Sequence, residues 1–132
     1  MRIYLDSSAL VKLVQQEAET TALRQYLRRH RGDGRVTSAL ARVEVVRAVA
    51  AGGSLAISHA RRTLARVDQI HLDRPLLDDA ATLAPSTILR SLDAIHLASA
   101  RLLGADLRAV LTYDDRMIAV AIGLGLPVEK PA

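Results

Sequence analysis

Four acids, Asp6, Glu44, Asp93 and Asp114, each stand just past a short apolar run or near the start of a helical pattern. Around them, runs of a few apolar residues alternate with longer stretches that repeat at helical spacing. This alternation constrains the fold most strongly, because strands that alternate with helices form a parallel sheet covered on both faces. Parallel strands send their carboxyl ends to one edge, where open α/β folds build their sites. The four acids are therefore expected at a common edge.

Taken in order, Arg2–Leu5 (RIYL) reads as a strand that ends at Asp6, followed by a helix to about Gln16 with Leu10, Leu13 and Val14 on one face. Glu19–His30 reads as a second helix with Leu23, Tyr26 and Leu27 inward and a basic end. Arg35–Thr37 is a short strand, and Ser38 is expected to cap a helix over Ala39–Ala51 with Val43, Val46 and Ala50 packed and Glu44 in its second turn. Ser54–Val67 is helical and carries Arg61, Arg62 and Arg66 along one side, and Gln69–Leu72 is a further apolar run. Pro75 suits the first turn of a helix reaching about Ala84, with Asp78 and Asp79 as surface capping charges. Ser91 is expected to cap a helix running to about Leu103, stopped by Gly104, in which Leu92, Ile95 and Leu97 supply apolar surface. Asp93 falls in its first turn, where the helix's positive end favours the ionised form and burial opposes it. Arg108–Thr112 is a strand, Arg116–Ile122 a helix, and Val128 opens a short last strand.

At 132 residues the chain is expected to form one domain, and half of its residues are hydrophobic, which argues against disorder. Three Tyr with no Phe or Trp leave the core to Leu, Val, Ile and Ala, and argue against an aromatic platform for stacking bases. The absence of Cys excludes disulfides and Cys-based zinc sites. With no apolar segment of spanning length and an acid already at position 6, the chain is expected to be soluble and cytoplasmic. A net charge of +4 and a pI near 10.1 suit a polyanionic partner.

Four carboxylates in one partly dry pocket repel one another, and a divalent cation relieves that repulsion. Oxygen-only ligands without Cys or paired His favour Mg²⁺ or Mn²⁺ over Zn²⁺, and Mg²⁺ takes one or two carboxylates directly and keeps waters elsewhere. Hydrolysis of a phosphodiester is the chemistry that suits such a site.

The segments YLDSSALVKL, TSALARVEVVRA, LRSLDAIHLASA and VLTYDDRM, in that order along nearly the whole chain, resemble those of PIN-domain ribonucleases of the VapC-like toxin type, from toxin–antitoxin pairs. The resemblance implies an α/β, PIN-like doubly wound sheet of four to five parallel strands over residues 1–132, and Mg²⁺- or Mn²⁺-dependent endonucleolytic cleavage of RNA. It matches the family's four acids to Asp6, Glu44, Asp93 and Asp114, a supporting hydroxyl to Thr112 and a small polar residue to Ser8. On this reading Asp6 and Asp93 bind metal directly, while Glu44 and Asp114 bind a second ion or orient waters. The partners implied are a VapB-like antitoxin, an RNA substrate and a second copy in a homodimer.

Several alternatives stay open at this stage. Asp115 is a neighbour that could replace or assist Asp114. His96 is read as a hydrogen-bonded structural histidine rather than a catalytic base, and Arg47 either holds Glu44 or meets a phosphate. The rival functions are an RNA-binding PIN-like protein with a non-catalytic acidic site and an Asp-centred phosphotransferase.

Overall fold

The computed structural model describes residues 1–132. In chain order its elements are β1 (Arg2–Leu5), α1 (Ser7–Val14), α2 (Thr20–Arg29), β2 (Gly34–Ser38), α3 (Ala41–Val49), α4 (Ser54–Leu64), β3 (Asp68–Ile70), α5 (Arg74–Ala81), α6 (Ser91–Arg101), β4 (Leu107–Leu111), α7 (Asp115–Gly123) and β5 (Val128–Glu129). The strands form one sheet in the order β3-β2-β1-β4-β5, and every pairing is parallel. The chain winds outward from β1 on one side, returns, and winds outward on the other. The topological switch point therefore lies between β1 and β4.

The strand alternation assigns the two faces. Ile3, Leu5, Ala109 and Leu111 point into a core shared with α1, α2, α3 and α4. Tyr4, Val36 and Val110 point to the opposite face, against Ala100 near the end of α6 and Leu103 just beyond it. A second apolar cluster on the α5–α7 side joins Leu76 and Ala80 of α5, Leu97 and Ala98 of α6, and Met117 and Ala121 of α7. Period-two side chains on the buried central strands β1, β2 and β4 produce this division into a doubly wound α/β fold.

The observed elements differ from the sequence expectations in several details. Arg90, not Ser91, holds the N-cap position of α6: its backbone is extended and its carbonyl accepts the Ala94 N–H. Leu92 is half exposed, so the buried face of α6 is carried by Leu97 with Ala94, Ala98 and Ala100. In α3 the buried residues are Ala41, Val45 and Val49 rather than Val43, Val46 and Ala50, because apolar side chains lie on several sides of this helix and packing against α1 and α4 selects the buried face. Ser38 ends β2 and bonds the Leu40 N–H in the turn before α3. Asp73 caps α5 by accepting the Leu76 N–H at 3.0 Å, which leaves Asp78 and Asp79 in its second half. No helix is long and apolar enough to cross a membrane.

Candidate active site

The carboxyl ends of β1, β2 and β4 and the first turn of α6 bring all four predicted acids to one edge of the sheet. Asp6 follows β1 directly. Its N–H donates to the Leu111 carbonyl at 3.2 Å, so the ladder between β1 and β4 continues one residue past the strand. The Asp6 side chain caps α1, is 2% exposed, and accepts three hydrogen bonds. Ser8 Oγ donates to Oδ1 at 2.7 Å, the Ala9 N–H to Oδ1 at 2.9 Å, and Thr112 Oγ1 to Oδ2 at 2.6 Å.

The two hydroxyls are oriented by what they accept. Ser8 Oγ takes the Tyr113 N–H at 3.0 Å, and Thr112 Oγ1 takes the Asp114 N–H at 3.2 Å. Each hydroxyl hydrogen is thereby left to point at Asp6. Burial nevertheless pushes the Asp6 carboxyl above its usual range, against the lowering effects of His96, Thr112, Ser8 and the Ala9 amide. A buried carboxylate in this condition is stabilised by a nearby positive charge.

Glu44 lies in the first turn of α3, one turn earlier in the helix than expected, and is partly buried. Its Oε1 accepts from Ser7 Oγ at 2.7 Å and from His96 Nε2 at 2.7 Å. Burial raises the Glu44 carboxyl, but the hydrogen bonds from His96 and Ser7 outweigh it and hold the group below its usual range. His96 Nδ1 faces the hydroxyl of the fully buried Tyr4 at 2.8 Å. The ring is thereby held between the Tyr4 hydroxyl and the Glu44 carboxylate. His96 is thus buried and hydrogen-bonded as expected, and it grips Glu44 directly.

Asp93 is buried in the first turn of α6, and Asp114 caps α7 by accepting the Arg116 and Met117 N–H groups on Oδ1. Arg90 joins these two acids: its Nε donates to Asp93 Oδ2 at 3.0 Å and one terminal nitrogen to Asp114 Oδ2 at 3.0 Å. Asp115 points away, with its side chain 85% exposed and paired with Lys130 at 2.9 Å. Arg47 is exposed, and Glu44 takes its hydrogen bonds from Ser7 and His96 instead.

No three acidic or histidine side chains converge tightly enough to form a preassembled metal cage. Glu44 is drawn to His96 and Ser7, while Asp93 and Asp114 are drawn to Arg90. Hydrogen bonds and a guanidinium thus separate charges that would otherwise repel. The donors are nevertheless all carboxylate oxygens, and the Asp6 carboxyl is buried without a cationic side chain bonded to it. That set fits a hard cation such as Mg²⁺, which takes one or two carboxylates and fills its remaining positions with water.

Sequence reading missed Ser7, Tyr4 and Arg90. Ser7 adjoins Asp6, and Arg90 stands three residues before Asp93, a spacing at which helical side chains meet. Tyr4 carried no signal beyond its strand.

A family model described as "PIN domain" matches residues 3–123. The chain is 53% identical over 131 residues to "Ribonuclease VapC46" of Mycobacterium tuberculosis (strain ATCC 25618 / H37Rv), covering 98% of each sequence. Among solved structures, it superimposes on Mycobacterium tuberculosis VapC20, described as a sarcin-ricin loop cleaving toxin, with a TM-score of 0.78 at 18% identity over 98% of this chain and 99% of that one. A toxin–antitoxin complex from Klebsiella pneumoniae matches with a TM-score of 0.75 at 21% identity over 98% of both chains. At these identities the structural likeness is one of fold.

Proposed function

The chain belongs to the PIN-domain family, and from that premise we propose that it is a single-domain, Mg²⁺- or Mn²⁺-dependent endoribonuclease, the toxin of a VapBC-type toxin–antitoxin pair. The observation that carries this reading is Asp6. It is a fully buried carboxylate held by three donors at the switch point of the sheet, with Glu44, Asp93 and Asp114 on the elements around it. The name of the 53% identical relative, a ribonuclease, supports RNA as the substrate class.

On this reading Asp6 and Asp93 hold the cation, while Glu44 and Asp114 take a second ion or orient waters. When bound, Mg²⁺ or Mn²⁺ supplies Lewis acidity and makes water a competent nucleophile near neutral pH. Ser8 and Thr112 fix both oxygens of Asp6 so that its charge is presented in one direction. His96 and Ser7 fix Glu44, and Tyr4 orients His96 from the other side. Arginines around the edge hold the RNA backbone by charge, so binding weakens as salt rises.

The partners of this reading are a VapB-like antitoxin and a second copy of the chain. The fold match to a toxin–antitoxin complex accords with the first. The groove that the exposed Ile88 shares with Ala119, Val120 and Leu124 supplies apolar surface for a protein partner.

The test uses Asp6→Asn and Asp93→Asn proteins, confirmed as folded by circular dichroism and a cooperative melt. RNA cleavage in Mn²⁺ is expected to fall by at least about a hundredfold in each, the scale seen when a preorganised electrostatic group is removed. Full cleavage by either folded variant would overturn the assignment.

A further inference from the structure

Arg90 is the one side chain that joins two of the four acids through a single charge. Its guanidinium spans from Asp93 Oδ2 in the first turn of α6 to Asp114 Oδ2 at the head of α7. Other arginine and lysine pairs, Arg101 with Asp79, Lys130 with Asp115 and Lys12 with Glu17 and Glu19, engage none of these four acids.

The two oxygens of Asp114 have separate duties. Oδ1 is committed to the cap of α7 through the Arg116 and Met117 N–H groups. Oδ2 is left as the oxygen available to a ligand, and Arg90 occupies it. Asp93 Oδ2 is likewise held by Arg90. An ion that uses Asp114 without breaking the helix cap must therefore contend with this guanidinium.

The grip is built to be released. The Arg90 side chain is 66% exposed, and the residues before it from Pro85 to Ile88 are exposed as well. Its backbone is extended at the N-cap position of α6, and its side chain makes no cap bond there. Solvent reaches both pairs from the arginine side and screens them, whereas a divalent ion brings twice the charge to the same oxygens.

We propose that Arg90 is a tethered counter-ion that a divalent cation must displace from Asp93 and Asp114, so that this arginine sets the cation affinity of the site. The inference rests on reading the site as a cation-dependent nuclease. It gives the free protein a device that keeps two adjacent carboxylates compensated until the cation arrives.

The experiment is calorimetric titration of the full chain with MnCl₂ at low ionic strength, comparing the natural sequence with Arg90→Gln and Arg90→Lys. Removing the competing charge is expected to tighten Mn²⁺ binding by about fivefold in Arg90→Gln, the scale of two solvent-screened ion pairs. Arg90→Lys, whose single ammonium cannot bridge both acids as a planar fork does, is expected to bind about twofold more tightly than the natural chain. If Mn²⁺ binds but Arg90→Gln shows equal or weaker affinity, the inference is overturned and the nuclease reading stands. If neither protein binds Mn²⁺, both are overturned. Should Arg90→Gln not fold, the Arg90→Lys comparison decides alone, and an affinity equal to that of the natural chain would overturn the inference.

Discussion

Asp6 depends on hydrogen-bond donors that come from opposite ends of the sequence. Ser8 is two residues away and Thr112 is brought in by β4, so the carboxylate is oriented only once the β1–β4 pairing has formed. Thr112→Val keeps the shape of the side chain but removes a hydroxyl that donates to Asp6 and accepts the Asp114 amide. The loss of a hydrogen bond to a charged, buried acceptor is expected to cost about 1.5–3 kcal/mol in urea unfolding at neutral pH. A Thr112→Val protein as stable as the natural chain would show that Asp6 does not rely on this donor. At this scale the site was largely legible, because an acid just past an apolar run declares itself in the sequence. The family resemblance pointed to Asp114, whose amide bonds Thr112 at the edge with the other acids, while Asp115 pairs with Lys130 in solvent. The reach of Arg90 to Asp114 and of Ser7 to Glu44 was not legible, because each depends on the distance between elements rather than along the chain.

Among the elements, α6 has the most to hold in place: it presents Asp93, seats His96 under Tyr4, and packs against both α5 and α7. Leu97 is fully buried in that packing, so Leu97→Ala is expected to destabilise the fold by about 2–5 kcal/mol, measured by chemical denaturation. A smaller loss would mean that α5 and α7 close around the cavity. Asp73 caps α5 in the same layer, and Asp73→Ala is expected to cost about 1 kcal/mol by the same measurement. The elements themselves were readable from periodicity, but their inner faces were not always so. In α3 the run Val43-Glu44-Val45-Val46 is apolar on several sides, and packing against α1 and α4 buries Val45 while leaving Val43 in solvent. At the head of α6 a serine is the usual capping signal, yet the extended backbone places Arg90 at that position.

Across the whole molecule the two edges of the sheet have different chemistry. At the amino edge Asp33, just before β2, pairs with Arg108 of β4 and with the N-terminal ammonium at 3.3 Å. The Arg108 hydrogen bond holds the Asp33 carboxyl below its usual range, against some burial. A carboxylate depressed by folding contributes stability above its unfolded pKa of about 3.9 and loses it as pH falls through the lower folded value. Asp33→Asn is therefore expected to be less stable than the natural chain near pH 7, with the difference vanishing in urea melts well below pH 4. A difference that persists unchanged in acid would rule out this origin. The carboxyl edge instead collects acids without enough basic partners to neutralise them, and a doubly wound sheet makes that gathering possible. The strand-and-helix alternation disclosed the parallel sheet. The order β3-β2-β1-β4-β5 was not legible, since it is set by which strand each crossover returns beside.

The account depends on the acids at this edge accepting a cation. The most direct measurement is the anomalous difference density of a crystal soaked in MnCl₂ and collected at a wavelength where manganese scatters anomalously. The predicted result is a peak within bonding distance of Asp6 and at least one of Asp93, Asp114 or Glu44. A fully soaked crystal without such a peak, or with manganese bound only elsewhere on the surface, would contradict the account.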